Sequence, residues 1–196
     1  MASHKLIENK DLSFTKGTCI VEIGSARETS GPESSTFYFS ELSKQLETDF
    51  FSVDFSPQSF ALAKEFIGVK AILSDGVKFL ESFSTISDKR ISILYLDNFD
   101  VIYNDKHKKS LLKRVGSVYY DNEEDLTNER SGVVHLEQMK AALPLLNVKN
   151  IVIVDDTRKT EQGWWGKGAL VVPFLLENGY KISNDSEEGI MLQSFS

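Results

Sequence analysis

The stretch Ile91-Ser92-Ile93-Leu94-Tyr95-Leu96, closed by Asp97, is apolar at almost every position. A strand with one wet face alternates apolar with polar residues. An unbroken apolar run of this length belongs to a central strand covered on both faces. Residues 151–154 (IVIV) repeat the pattern and run into Asp155 and Asp156, and Thr18-Cys19-Ile20-Val21-Glu22-Ile23 does so before Gly24. Asp49 to Asp54 (DFFSVD) and Val69 to Leu73 read as two more strands.

Amphipathic stretches fill the gaps between these runs. A helix starts near Ser34, with Phe37, Tyr38, Leu42 and Leu46 on one side. Ser56 before Pro57 gives an N-cap followed by proline at the first helical position, and Phe60, Ala63, Lys64 and Ile67 continue that helix. Val77, Leu80 and Phe83 mark a short helix, while Leu136, Met139, Leu143 and Leu146 recur at spacings of 3, 4 and 3. Gly168 to Glu177 reads as the last helix, ended by Asn178-Gly179, and residues 180–183 and 189–195 as a closing antiparallel pair. Strands alternating with helices predict a doubly wound, mostly parallel seven-stranded α/β sheet with an antiparallel C-terminal strand pair.

The chain has 196 residues, within the usual range for one domain, and 41% hydrophobic with 26% charged residues is ordinary globular composition. With Cys19 as the sole cysteine, there is no internal disulfide and no thiolate zinc cluster. The opening MASHKLIENKDLSF lacks the apolar core of a signal peptide, and no apolar run reaches the roughly 20 residues that span a bilayer. The expectation is a soluble, cytoplasmic protein. A net charge of −7 weighs against nucleic acid, since backbone binding needs a basic face. Residues 104–130 break the pattern, with KHKKSLLKR followed by DNEEDLTNER. They read as a charged, exposed insertion on the substrate side of a single 1–196 domain. The run of Lys106, His107, Lys108 and Lys109 with Lys113 and Arg114 is either a solvated helix face or an attractor for an anionic acceptor.

In a doubly wound sheet the ligand lies beyond the carboxyl ends of the strands. Nearly every strand here runs into an acid there: Glu22, Asp54, Asp75, Asp97, and Asp155 with Asp156. Asp54 has the position of a ribose-diol ligand, and Ser56 leaves it free of the capping role. Asp75, before Gly76, is equally an N-cap or an adenine contact. The first loop, Gly24-Ser25-Ala26-Arg27-Glu28-Thr29-Ser30-Gly31-Pro32, carries two glycines and two charged residues where a dinucleotide fold has G-x-G-x-x-G. A pyrophosphate is a poor fit and a phosphate-free nucleoside a better one. Asp97, Asp155 and Asp156 would repel one another strongly unless neutralised, and as oxygen ligands suit a hard cation such as Mg²⁺ or Ca²⁺. The other reading is that one or two of them cap the following loop.

CIVEIGS, FFSVDFSP, ILYLDNFD, HLEQMKAALPLL with IVIVDDT, and GKGALVVPFLLENGY follow one another in an order that resembles the class I S-adenosylmethionine-dependent methyltransferases. Within them the chain is most similar to the divalent-metal-dependent O-methyltransferases of catechol and macrolide-sugar type, over residues 18–183. The resemblance implies that Glu22, Gly24 and Ser25 hold the methionine end of the cofactor, that Asp54 binds its ribose, and that Asp75 lies on the adenine side. It implies Asp97, Asp155 and Asp156 as ligands of Mg²⁺ or another divalent cation, with Asp97 also facing the cofactor. The activity implied is a methyl transfer of EC 2.1.1 type to a hydroxyl of a small molecule, by a chain that neither nucleic acid nor membrane engages and that is compatible with a homo-oligomer.

Catechol-type enzymes carry a lysine base three residues after the first metal aspartate, and this chain has Asp100 there. His135 and Lys167 are the substitutes the sequence offers as base. For His135 the other reading is a helix-start residue bonded to backbone, and for Lys167 a solvated loop lysine. Trp164 and Trp165 either line a substrate pocket or anchor the last helix. Rival functions are an aminopropyl transferase or other nucleoside-binding enzyme on the same sheet, and a methyltransferase-like binding module without catalysis.

Overall fold

The computed structural model describes residues 2–27, 31, 33–66, 68–119 (backbone only for 114–119) and 126–194. Alternation along each strand divides its side chains between two cores, because successive residues point to opposite faces. In β1 (Cys19–Ile23), Cys19, Val21 and Ile23 face one way and Ile20 and Glu22 the other, all buried. β2 (Asp49–Asp54) follows the same rule, β4 (Ile91–Leu96) does so from Ile93 onward, after a register shift between Ile91 and Ile93, and β5 (Leu146–Asp155) over its second half. β3 (Val69–Leu73) is a half-buried edge.

The order is β3-β2-β1-β4-β5-β9-β8, with β8 (Lys181–Ser186) and β9 (Gly189–Gln193) at the far end. β3, β2, β1, β4 and β5 pair in parallel, while β9 runs antiparallel to both β5 and β8. This is the expected doubly wound, seven-stranded sheet. One face carries α1 (Ser35–Gln45) and a short 3₁₀ turn, Ser3–Ile7, whose Leu6 and Ile7 are buried in the core. The other carries α3 (Gly76–Ile86), α5 (Asn128–Ala142) and α6 (Gly168–Glu177). α2 (Pro57–Ala63) packs on β2 and β3.

The boundaries follow local chemistry. Ser34, Ser56, Asp75 and Thr127 each cap a helix by accepting a backbone N–H. Three expectations need correction. The stripe through Leu143 and Leu146 overran its helix: α5 stops at Ala142, Pro144 falls in a 3₁₀ turn (Leu143–Leu145), and Leu146 starts β5. α2 ends at Ala63 with Lys64 as C-cap, and Ile67 and Phe195 lie outside the described residues.

The third concerns residues 104–130, which are not simply exposed. They include α4 (Asp105–Tyr119), and Leu111 and Leu126 are buried in a small cluster with Phe99, Ile102 and Leu112. Asn128 closes the segment, its side chain bonding the N–H and C=O of Ile102 at 2.7 and 2.9 Å. Residues 120–125 of the stretch lie outside the description. A hairpin of β6 (Thr157–Thr160) and β7 (Gly163–Gly166) escaped the sequence reading, because its four-residue strands lack an apolar period. Among the described residues no helix is long and apolar enough to cross a membrane.

Candidate functional site

Strand order reverses between β1 and β4, so the crevice of this sheet opens over their carboxyl ends. The two turns there are in contact. Gly24, at φ +101°, lies so close to β4 that a Cβ would come within 2.6 Å of the Asp97 backbone. The Gly24 N–H bonds the Val53 carbonyl and the Asp97 N–H the Ile23 carbonyl, each at 2.8 Å. Only glycine meets both the dihedral and the space.

Beneath this turn Glu22 is fully buried. Ser35 Oγ donates to its Oε1 at 2.5 Å, and Ser52 Oγ and Thr36 Oγ1 donate to its Oε2 at 2.6 and 2.8 Å. Burial outweighs these bonds and pushes its pKa up to about 7. Glu22 therefore supports the turn from below and does not line the cleft. Asp54, 4% exposed, accepts the N–H of Ser25 at Oδ2 (3.1 Å) and of Ser56 at Oδ1 (2.8 Å). A carboxylate oxygen has a second lone pair, so a sugar hydroxyl could share it. Asp75 caps α3, accepting the Lys78 N–H at 3.0 Å.

A cleft of about 550 Å³ lies over the ends of β1, β4 and β5, within the ordinary size of a small-molecule site. Ser25, Ala26, Asp97, Asp155, Asp156 and Lys167 line it. So do residues that sequence reasoning missed: Ser3, His4, Tyr95, Tyr103, Arg27 with Asp100, Glu33 and Glu188. Arg27 spans the two turns, donating to Asp100 at 2.6 Å and to the Asn98 carbonyl at 2.8 Å. Six carboxylates thus line the cleft against two permanent cations, Arg27 and Lys167. Tyr95 could have been found, since a residue two before Asp97 shares its face of the strand. Ser3 and His4 carried no signal, being drawn in by the folding of a distant turn.

Asp97, Asp155 and Asp156 do converge, each offering an oxygen within 4.8 Å of the others. Lys167 stands among them. It is 2% exposed, which corrects the solvated-loop reading. It is hydrogen-bonded to Asp97 Oδ1, with its Nζ 3.0 Å from Asp156 Oδ2 and 3.6 Å from Asp155 Oδ2. Burial works against the ammonium, but Asp97, Asp156 and Asp155 outweigh it and hold its pKa well above the ordinary value. A lysine so held is a fixed cation and not a base.

Burial and then the Asp97 carboxylate push Asp155 well up. For Asp156 burial is opposed by Lys167 and by the Tyr103 hydroxyl, which donates to Oδ1 at 2.6 Å, and the net direction is down. Tyr95 donates to Asp97 Oδ2 at 3.4 Å and shares a 3.0 Å hydrogen bond with Ser3 Oγ, which also donates to Asp155. The donor set has the chemistry of a magnesium site. The Lys167 ammonium nevertheless lies beside one oxygen of each of the three, so an ion drawing on those same oxygens would meet a fixed positive charge.

His135 is not brought to the cleft. It is fully buried in α5, its Nδ1 bonds the Ser131 carbonyl at 2.7 Å, and its Nε2 has no partner among the described residues. Burial lowers its pKa to about 3, so it stays neutral. Trp164 packs against the core beside α6, whereas Trp165 stacks on Tyr103 at 5.3 Å under the Arg158 guanidinium. Neither tryptophan lines the cleft.

No family model matches the sequence, and no curated protein matches it. Solved structures match the fold. An O-methyltransferase from Bacillus cereus in complex with S-adenosylhomocysteine aligns at 10% identity with a TM-score of 0.54, over 94% of this chain and 77% of that one. A provisionally named methyltransferase from Streptococcus mutans, also with S-adenosylhomocysteine, gives 12% identity and a TM-score of 0.52 over 97% and 93%. The calicheamicin methyltransferase CalS11 gives 14% and 0.53 over 90% and 72%. At these identities the likeness concerns the fold: this chain has the Rossmann-like methyltransferase sheet.

Proposed function

We propose that this chain is an S-adenosylmethionine-dependent methyltransferase acting on a hydroxyl oxygen of a small molecule. The observation that carries the reading is the cleft at the switch point between β1 and β4, in a fold whose neighbours include complexes with S-adenosylhomocysteine. The site suits such a cofactor. The close-packed Gly24 turn leaves backbone at the crevice floor, Asp54 ends β2 and Asp75 follows β3 by two residues, and the acidic cleft favours a cationic sulfonium. The same acids favour a neutral or cationic acceptor over an anionic one.

Ser25 and Ala26 face the methionine end in this reading, Asp54 the ribose and Asp75 the adenine. When bound, the cofactor supplies an activated methyl group, transferred as the carbon–sulfur bond breaks and the carbon–oxygen bond forms. The residues of the cleft align the acceptor, which by itself removes much of the barrier to a two-body displacement. The proton leaving the hydroxyl passes to a cleft carboxylate; His135 and Lys167 are not placed or charged to take it. No step is assigned to a divalent metal, because Lys167 holds that position.

The test is thermal unfolding with S-adenosylhomocysteine, S-adenosylmethionine and NAD. A ligand that binds only the folded state at 100 times its Kd stabilises by about 2.7 kcal/mol, roughly 5 °C or more for a chain of this size. A rise with the two sulfur nucleosides and none with NAD is expected. No rise with S-adenosylhomocysteine would sink the proposal and leave the binding-module reading. A rise with decarboxylated S-adenosylmethionine alone would favour aminopropyl transfer.

A further inference from the structure

We propose that Lys167 is the resident cation of the Asp97, Asp155 and Asp156 cluster, in the place where the family resemblance puts a divalent ion, and that the site works without metal. The geometry begins with the turn that carries this lysine. A Cβ on Gly166 would lie 1.8 Å from the Asp156 carbonyl oxygen, and one on Gly168 would lie 2.4 Å from Thr157 Cγ2. Both flanking residues are thus pressed onto Asp156 and Thr157, where β5 passes into β6. Two further bonds fasten the turn: the Lys167 N–H to the Asp156 carbonyl at 3.3 Å, and the Gly168 N–H to Thr157 Oγ1 at 2.8 Å. The backbone has one place to be, and the side chain runs buried from it to the three acids.

Its ammonium bonds Asp97 Oδ1 and sits 3.0 Å from Asp156 Oδ2. A divalent ion held by the same three carboxylates would compete with the ammonium for these oxygens. An ion entering there would push the ammonium off its partners while leaving it buried, and a buried charge without a counter-charge is among the costliest arrangements in a protein. Keeping the ammonium beside the ion would place like charges a few ångströms apart. Lysine and metal are therefore alternatives at this point, and the chain encodes the lysine.

The consequence for catalysis rests on the methyltransferase reading, but the binding claim does not, and the two can fail separately. The probe is Mn²⁺, whose binding to the purified chain is followed by paramagnetic resonance and by thermal unfolding. Wild type is expected to show no saturable binding. Lys167→Met, which keeps the length of the side chain and removes its charge, is expected to gain saturable Mn²⁺ binding, at least about ten-fold tighter than the weakest binding detectable in wild type. Asp97→Asn in that background is expected to remove the gain. Saturable Mn²⁺ binding by wild type that Asp97→Asn abolishes overturns the proposal, and so does a folded Lys167→Met variant with no gain. If Lys167→Met does not fold, the comparison of wild type with Asp97→Asn decides alone: saturable binding overturns the proposal, and its absence supports it. Stabilisation of wild type by S-adenosylhomocysteine, measured with and without EDTA, separates the outcomes. An equal rise in both supports a metal-free site, a rise lost in EDTA overturns it, and no rise in either defeats the methyltransferase reading without touching the lysine assignment.

Discussion

At Glu22 a carboxyl with no exposure is held by the hydroxyls of Ser35, Thr36 and Ser52, and burial raises its pKa from an ordinary 4.5 to about 7. A raised carboxyl pKa means that the fold favours the protonated form. Its contribution to stability is full below the unfolded value and is lost as pH rises through the folded one. Wild type should therefore lose stability between about pH 5 and 7 at up to roughly 1.4 kcal/mol per pH unit from this group. In Glu22→Gln, which has the shape but no titration, that part of the slope should vanish. Parallel melting-temperature profiles for the two proteins would remove Glu22 as the cause. The residue's identity was readable as an acid in the first strand, but its role was not. Three hydroxyls from α1 and β2 make it a support for the Gly24 turn, and all of them lie 13 or more residues from Glu22. Gly166 makes the same point. Its neighbours Lys167 and Gly168 look like an ordinary loop until the Asp156 carbonyl is seen 1.8 Å from where a side chain would start.

Elements were easiest to read where hydropathy and capping agreed. The limits of β2, β3, β4 and α6 match the sequence reading residue for residue, because a polar turn or cap follows each of them. Where only one signal existed the reading slipped, as in the stripe that ran through Pro144 into β5. α3 is the element on which an open question can be settled. Asp75 caps it through the Lys78 N–H, and the same carboxylate is the proposed adenine contact. Asp75→Ala should cost about 1 kcal/mol in urea unfolding, the usual value of a lost N-cap. Asp75→Ser keeps a capping oxygen and so should keep that stability. It should still weaken S-adenosylhomocysteine about three- to ten-fold in titration calorimetry, as expected for one lost hydrogen bond to a ligand. Unchanged affinity in the serine variant would leave Asp75 as a cap alone.

For the whole molecule, parallel strands bring all their carboxyl ends to one edge of the sheet, and the reversal of order between β1 and β4 opens that edge. Hydrogen exchange should therefore respond at one edge only. Adding S-adenosylhomocysteine is expected to slow exchange at residues 24–27, 97–100 and 155–157, and to leave the amino ends near 49 and 91 unchanged. Protection spread evenly over both edges would point to global stabilisation and away from this cleft. The strand runs, the α/β class and the acids at strand ends are legible in the chain, because hydropathy period and strand termination are properties of half a dozen neighbouring residues. What those acids meet follows from long-range packing. Lys167 reaches Asp97 across 70 residues, Arg27 reaches Asp100 across 73, and Ser3 reaches Asp155 across 152. Whether a strand-end carboxylate faces a cation, a hydroxyl or solvent depends on which chain segments the core brings beside it. That is set by packing over the whole sheet, and no local pattern carries it.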